Sequence, residues 1–168
     1  MTAKERREAK ERRSKLKANE ILALDIATKT GYYSLNDGGG VWNFDTKAKG
    51  NSWKQYAAFR QTLVRYIKTH NIKQIVAEDV NVAGYFNSMR KLSEFRGIMR
   101  EVSESLDLLP PVFVNVTSVK FFMTGKGKAS KSLIINACKK KYNIEPVDDN
   151  HADAIGVFYY FLKNPNKK

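Results

Sequence analysis

The sequence predicts an α/β fold, a mixed five-stranded sheet flanked by helices. Three strand-like runs come first, separated by turn signals, and strands then alternate with helical patterns to the end of the chain. No internal repeat interrupts this order. At 168 residues and 42% hydrophobic content the chain suits one domain with a sizeable core.

Residues 21–26 form an apolar run, "ILALDI", followed by strand-like segments at 31–36 and 40–45. "LNDGGG" between the last two is a hairpin signal, so the three read as an antiparallel meander. Over 52–70, Trp53, Tyr56, Phe59, Leu63 and Ile67 recur at helical spacing, with Ser52 as the expected N-cap. "IKQIVAEDV" (72–80) is the fourth strand. A long helix is expected over 86–109, with an apolar stripe at 92, 95, 99, 102, 106 and 109, stopped by Pro110-Pro111. "VFVNV" (112–116) is the fifth strand, a short helix is expected over 117–123, and another over about 130–142. The last, over 148–163, is apolar on most sides and so reads as buried.

The formal charge of +13, with a pI near 9.8, favours a polyanionic partner, nucleic acid before an anionic membrane surface. The first 20 residues hold 8 Lys and Arg and 4 Glu, so the other 148 residues still carry +9. Residues 1–19 lack an apolar face and read as a basic, flexible arm, either merely solvated or lying on a phosphate backbone. Residues 20–164 form the domain and 165–168 a basic tail. No apolar run is long enough to span a membrane, and the N-terminus is too charged for a signal peptide. The single Cys138 makes no internal disulfide, which points to a reducing interior.

The chemistry-bearing anomaly is a set of acids in apolar surroundings. Asp25 ends the first strand, Glu78 the fourth, and Asp153 lies within "HADAIGVFYY". Such an acid costs several kcal/mol unless paired, hydrogen-bonded or bound to metal. Asp25 has a plainer reading in the following turn, Glu78 in pairing with a lysine, and Asp149 as an N-cap. Asp149 and Asn150 share a helix face with Asp153, whereas His151 points elsewhere. Hard oxygen ligands gathered from two strand ends and a helix suit Mg²⁺, and one Cys with two His does not build a zinc site. "TGKGKASK" (124–131) places Lys126, Lys128 and Lys131 at a helix start, where backbone N–H groups favour phosphate. It is not a Walker A loop, because the second glycine position holds Ser130.

"ILALDIATKTGYYSL", "IVAEDV", "KLSEFRGIMREV", "TGKGKASKSLI" and "DDNHADAIGV" occur in the order seen in RuvC-type Holliday junction resolvases of the ribonuclease H-like superfamily. The resemblance covers about residues 21–163 and marks a divergent, compact member. It implies a ribonuclease H-like domain and a crossover junction endodeoxyribonuclease that cuts branched DNA to 5′-phosphate and 3′-hydroxyl ends. It further implies two Mg²⁺ per site, with Mn²⁺ substituting, a homodimer, and the cytoplasm of a bacterial or phage-infected cell. Asp25, Glu78 and Asp153 match the family's metal-binding acids. The fourth falls on Asn150, where the family has another acid or His, so Asp149, Asn150 and His151 all stand as candidates, with Asp149 favoured. The Lys126–Lys128–Lys131 loop matches a DNA-contacting segment. Asn81 occupies the family's aromatic wedge position, leaving Tyr85 and Phe86 as the nearest stacking candidates. Arg90, Lys91, Arg96 and Arg100 are candidate phosphate contacts. Gly97 would permit close approach of a second copy, or else packing on its own sheet. The alternatives are another ribonuclease H-like nuclease acting on RNA or flap DNA, and a non-catalytic nucleic-acid-binding module. An actin-like ATPase needs two lobes, for which the chain is too short.

Overall fold

A computed structural model describes residues 2–45, 52–79 and 86–166, with backbone alone at 52 and 86–88. The elements in chain order are α1 (Ala3–Ser14), a 3₁₀ turn (Ala18–Glu20), β1 (Ile21–Asp25), β2 (Lys29–Tyr33), β3 (Gly40–Asn43), α2 (Ser52–His70), β4 (Gln74–Glu78), α3 (Phe86–Ser105), β5 (Val112–Val114), α4 (Val116–Thr124), α5 (Lys131–Tyr142) and α6 (Asp149–Lys163). The sheet order is β3-β2-β1-β4-β5. β1–β2 and β2–β3 are antiparallel, β1–β4 and β4–β5 parallel, which is the mixed five-stranded sheet expected.

β1 is central because its apolar run can be covered on both sides. Alternation sends Ile21 and Ala23, with Val76 and Val114, into a core under α4, α5 and α6. Leu22 and Leu24, with Ile75 and Ala77, enter a second core against α2 and α3. The same alternation decides where the acids go. Asp25 follows Ala23 on its face and Glu78 follows Val76, so both belong to the layer of α6. They come directly after the paired residues Leu24 and Ala77, side by side at the C-terminal ends of parallel strands.

Five local expectations change. β2 begins at Lys29 rather than residue 31, because the turn before it is tight: Thr30 Oγ1 donates to the Ala27 carbonyl at 2.6 Å. α3 stops at Ser105 rather than 109; Asp107 takes the left-handed conformation (φ 50°), Leu108 N–H donates back to Ser103 O at 2.8 Å, and Leu108 and Leu109 drop into the core. Trp53 leaves the apolar stripe of α2 and is 63% exposed. Asp148, not Asp149, caps α6, accepting the His151 N–H at 2.9 Å. The N-terminal segment, expected as a flexible arm, is helical over α1 and has a capping box between Thr2 and Glu5. Polar contacts fasten it to the body: Arg13 Nε donates to the buried Gln74 Oε1 at 3.1 Å, and Arg12 Nη2 to the Asp107 carbonyl at 3.1 Å.

Gly31 of β2 sets how closely α6 can lie on the sheet. A Cβ there would fall 1.9 Å from the Asn150 carbonyl oxygen and 2.8 Å from the His151 nitrogen, both backbone atoms that cannot swing aside. Gly31→Ala must push the start of α6 off β2. We expect a loss of roughly 2–3 kcal/mol, or about 4–12 °C in Tm, read by thermal denaturation; an unchanged Tm would show that α6 is free to shift.

Candidate functional site

Asp25 and Glu78 stand on adjacent strands, and Asp153 reaches them from the first turns of α6. Each is only partly exposed. Among the described residues Glu78 Oε1 is buried with no hydrogen-bond partner. Burial, and then the neighbouring charges of Asp153 and Asp149, push the Asp25 carboxyl up to about 7. Burial followed by repulsion from Asp25 and Asp153 pushes Glu78 up to about 8. Asp153 is raised for the same leading reason, burial. Three carboxyls that resist ionisation together would be relieved by a nearby cation.

The start of α6 distinguishes the remaining candidates. Asp149 forms an ion pair with Lys131, which holds its carboxyl below the usual range, and its charge is felt at Asp25 and Asp153. Asn150 Nδ2 donates to Asp148 Oδ2 at 3.3 Å. His151 is 3% exposed and both ring nitrogens are engaged: Nδ1 accepts from Val147 N–H at 3.1 Å, and Nε2 donates to the Gly38 carbonyl at 3.0 Å. With no free lone pair, His151 leaves the set of ligand candidates and acts as a clamp between the β2–β3 turn and α6.

Basic side chains approach from three helices. Lys131, the first residue of α5, meets Asp149 and acts electrostatically on Asp25. Lys120 of α4, which sequence reasoning missed, is the leading positive charge acting on both Glu78 and Asp153. Its only signal was a lone cation within the apolar stretch "VKFFM". Lys91 of α3 donates to Thr28 Oγ1 at 2.5 Å, in the turn behind Asp25. Lys126 and Lys128 are exposed in the α4–α5 loop, where Gly125 ends α4 in the left-handed conformation and Ser130 caps α5. Arg90 is exposed and paired with Glu94 at 3.5 Å. Arg96 is tied to Asp79 at 2.5 Å and lies 4.0 Å from the Phe113 ring centroid, with Arg100 on the same ring at 5.5 Å, so both have structural partners. Tyr85 lies outside the described residues, as does the side chain of Phe86.

The donor chemistry fits a hard divalent ion. The oxygens of Asp25, Glu78, Asp153 and Asp149 and the amide oxygen of Asn150 are the ligand types of Mg²⁺, and Glu78 Oε1 lacks any other partner. Among the described residues no three acidic, His or Cys side chains already form a ready metal-holding cluster. A soft-metal site has no basis here: Cys138 is fully buried with its thiol pushed up to about 12 by burial.

The raised carboxyls make the metal-free fold pH-sensitive. A carboxyl held protonated by the fold contributes its full stability below the unfolded carboxyl range, near pH 4, and loses it as pH rises through about 7 for Asp25 and about 8 for Glu78. In chelator, Tm should therefore fall between pH 5 and 9. Glu78→Gln should flatten that fall and raise Tm at pH 8.5 by roughly 3–8 °C. Parallel calorimetric profiles for the two proteins would sink the assignment.

No family model matches the chain. A curated relative, the crossover junction endodeoxyribonuclease RuvC of Sulfurovum sp. (strain NBC37-1), is 31% identical over 111 residues, which is 61% of this chain and 66% of the relative, just short of two thirds of its length. Among solved structures, Thermus thermophilus RuvC superposes with a TM-score of 0.70 at 12% identity, covering 88% of this chain and 98% of that one. The T. thermophilus RuvC complex with a Holliday junction substrate gives 0.68 at 11% identity, covering 84% and 92%. The yeast mitochondrial Holliday junction resolvase gives 0.61 at 10% identity, covering 92% and 83%. The solved structures share the fold, the curated relative is similar over part of the sequence, and the acids fall at the strand ends and in the last helix: the chain has the fold of the RuvC structures and resembles that family in sequence.

Proposed function

We propose that this chain is a metal-dependent, structure-selective endonuclease that resolves four-way DNA junctions by paired phosphodiester hydrolysis, leaving 5′-phosphate and 3′-hydroxyl ends. The observation that carries this reading is the half-buried carboxylate set, Asp25, Glu78 and Asp153, with lysines from α3, α4 and α5 on the surrounding helices, in a chain that resembles RuvC. Asp25, Glu78 and Asp153 hold two Mg²⁺ ions, or Mn²⁺ in their place, with Asp149 as fourth ligand and Asn150 as the other candidate. Bound there, the metal pair supplies water activation and stabilisation of the leaving oxygen.

The chain's own residues do the rest. Carboxylates that gather metal also repel the scissile phosphate, and Lys120, Lys131 and Lys91 offset that repulsion. Lys131 also keeps Asp149 ionised. Lys126 and Lys128 extend the positive surface along the α4–α5 loop, where phosphates can lie against the start of α5. Tyr85 and Phe86 are the stacking candidates at the branch, and Arg90 is a further phosphate contact. Symmetric cutting calls for two sites, hence a homodimer. Gly97 supports it: on the exposed side of α3 a Cβ would meet nothing within 4 Å, so Gly97 does not pack on its own sheet and leaves room for a second backbone. A cytoplasmic setting accords with the unpaired, buried Cys138. Among the described residues, no helix is long and apolar enough to cross a membrane.

Cleavage of a synthetic four-way junction with mapped cut sites tests the proposal directly. Asp25→Asn, Glu78→Gln and Asp153→Asn should each lower the rate more than about 100-fold while junction binding survives in a gel-shift assay. Full activity in any of them removes that residue from the site. Asp149→Ala should be as damaging and Asn150→Ala milder; the reverse order would make Asn150 the fourth ligand.

A further inference from the structure

α1 has no apolar face, yet its charges are sorted. Glu5, Glu8 and Glu11, spaced by three, share one side of the helix. Arg6, Arg7 and Lys10 fall within an arc of about 100° on the other side, by the ~100° per residue of an α-helix. All three are exposed, and among the described residues none of them makes an ion pair or a side-chain hydrogen bond. The acids, by contrast, are occupied locally: Glu8 pairs with Lys4 at 3.9 Å, Glu11 with Lys15 at 3.0 Å, and Glu5 accepts the Thr2 N–H at 2.6 Å. Positive charge that is both exposed and without a partner on α1 is thus confined to one stripe.

That stripe is held in place. Arg13 reaches Gln74 at the start of β4, and Arg12 reaches Asp107 just before β5. Gln74 is itself fixed, its Nε2 donating to the Pro110 carbonyl at 3.0 Å. The anchor lies at the N-terminal end of β4 and the carboxylates at its C-terminal end, about 13 Å away along the strand. A DNA arm that runs from the carboxylates past the N-terminal end of β4 meets both.

We propose that Arg6, Arg7 and Lys10 of the docked α1 form a second phosphate-binding surface, which grips the backbone of a DNA arm away from the cut. The inference rests on the reading of the chain as a DNA nuclease. The ligand is a duplex backbone, because cations on one helix face can follow a line of phosphates and nothing apolar accompanies them for insertion into lipid.

The test is a salt titration of binding by the full chain and by R6Q/R7Q/K10Q, on a four-way junction and on a linear 30-base-pair duplex. Glutamine keeps the helix propensity, and circular dichroism verifies that helicity is retained. Each lost phosphate contact lowers the slope of log K against log salt by about 0.9. The triple variant should therefore lose about 2 to 3 from the slope and on the order of 10- to 100-fold in affinity near 0.1 M salt, with the saturated cutting rate unchanged. Each single variant should lose about one third of the slope change. An unchanged slope on both DNAs overturns the proposal. So does weakened binding to anionic vesicles with DNA binding intact, which would make the stripe a membrane contact. Because the duplex arm needs no cleavage, a chain that cuts no junction but shows the slope loss refutes the nuclease reading alone.

Discussion

Everything in this molecule answers to one electrostatic constraint: carboxylates from two adjacent strand ends and one helix share a site mostly withdrawn from water. Left alone they repel one another and lose hydration, which is why Asp25 and Glu78 hold their protons toward neutral pH. The surrounding fold must hold them despite that repulsion. Parallel pairing of β1 and β4 puts the first two acids side by side, and the close seat of α6 on Gly31 brings the third over them. Lys120 of α4 and Lys131 of α5 then offset that charge from their own helices.

The acids were legible from sequence because a charge ending an apolar run is conspicuous, and because their order along the chain resembles a known family. The sheet was legible because β1 and β4 are apolar on both faces. What escaped was set by partners rather than by pattern. Lys120 gains meaning only when α4 packs next to β4 and α6. His151 looked like a possible ligand until both nitrogens were seen to be spent on backbone groups of Val147 and Gly38. The end of α3 was hidden because Leu106 and Leu109 continue the apolar spacing, while the left-handed turn at Asp107 redirects the chain after it. The docking of α1 was invisible to hydrophobic periodicity, since polar atoms hold it and its key partner, Gln74, is a polar residue buried at a strand start.

The start of α6 shows how adjacent residues divide the work. Asp148 terminates the helix, His151 locks its entry to the β2–β3 turn, and Asp149 and Asp153 present charge to the sheet. Residues so close in sequence reach opposite surroundings because the helix turns about 100° with each step. Asp149, one residue before Asn150, still projects its field onto Asp25.

The sheet also separates two cores that share no side chains: one beneath α4, α5 and α6, the other beneath α2 and α3. The acids belong to the first. Changes in the second layer should combine additively with changes at the acids, because contacts that are not shared transmit little coupling. The buried side chains of the α2–α3 core are thus free to drift in sequence at a tempo independent of the chemistry on the other face, whereas Lys91 on the surface of α3 stays tied to it.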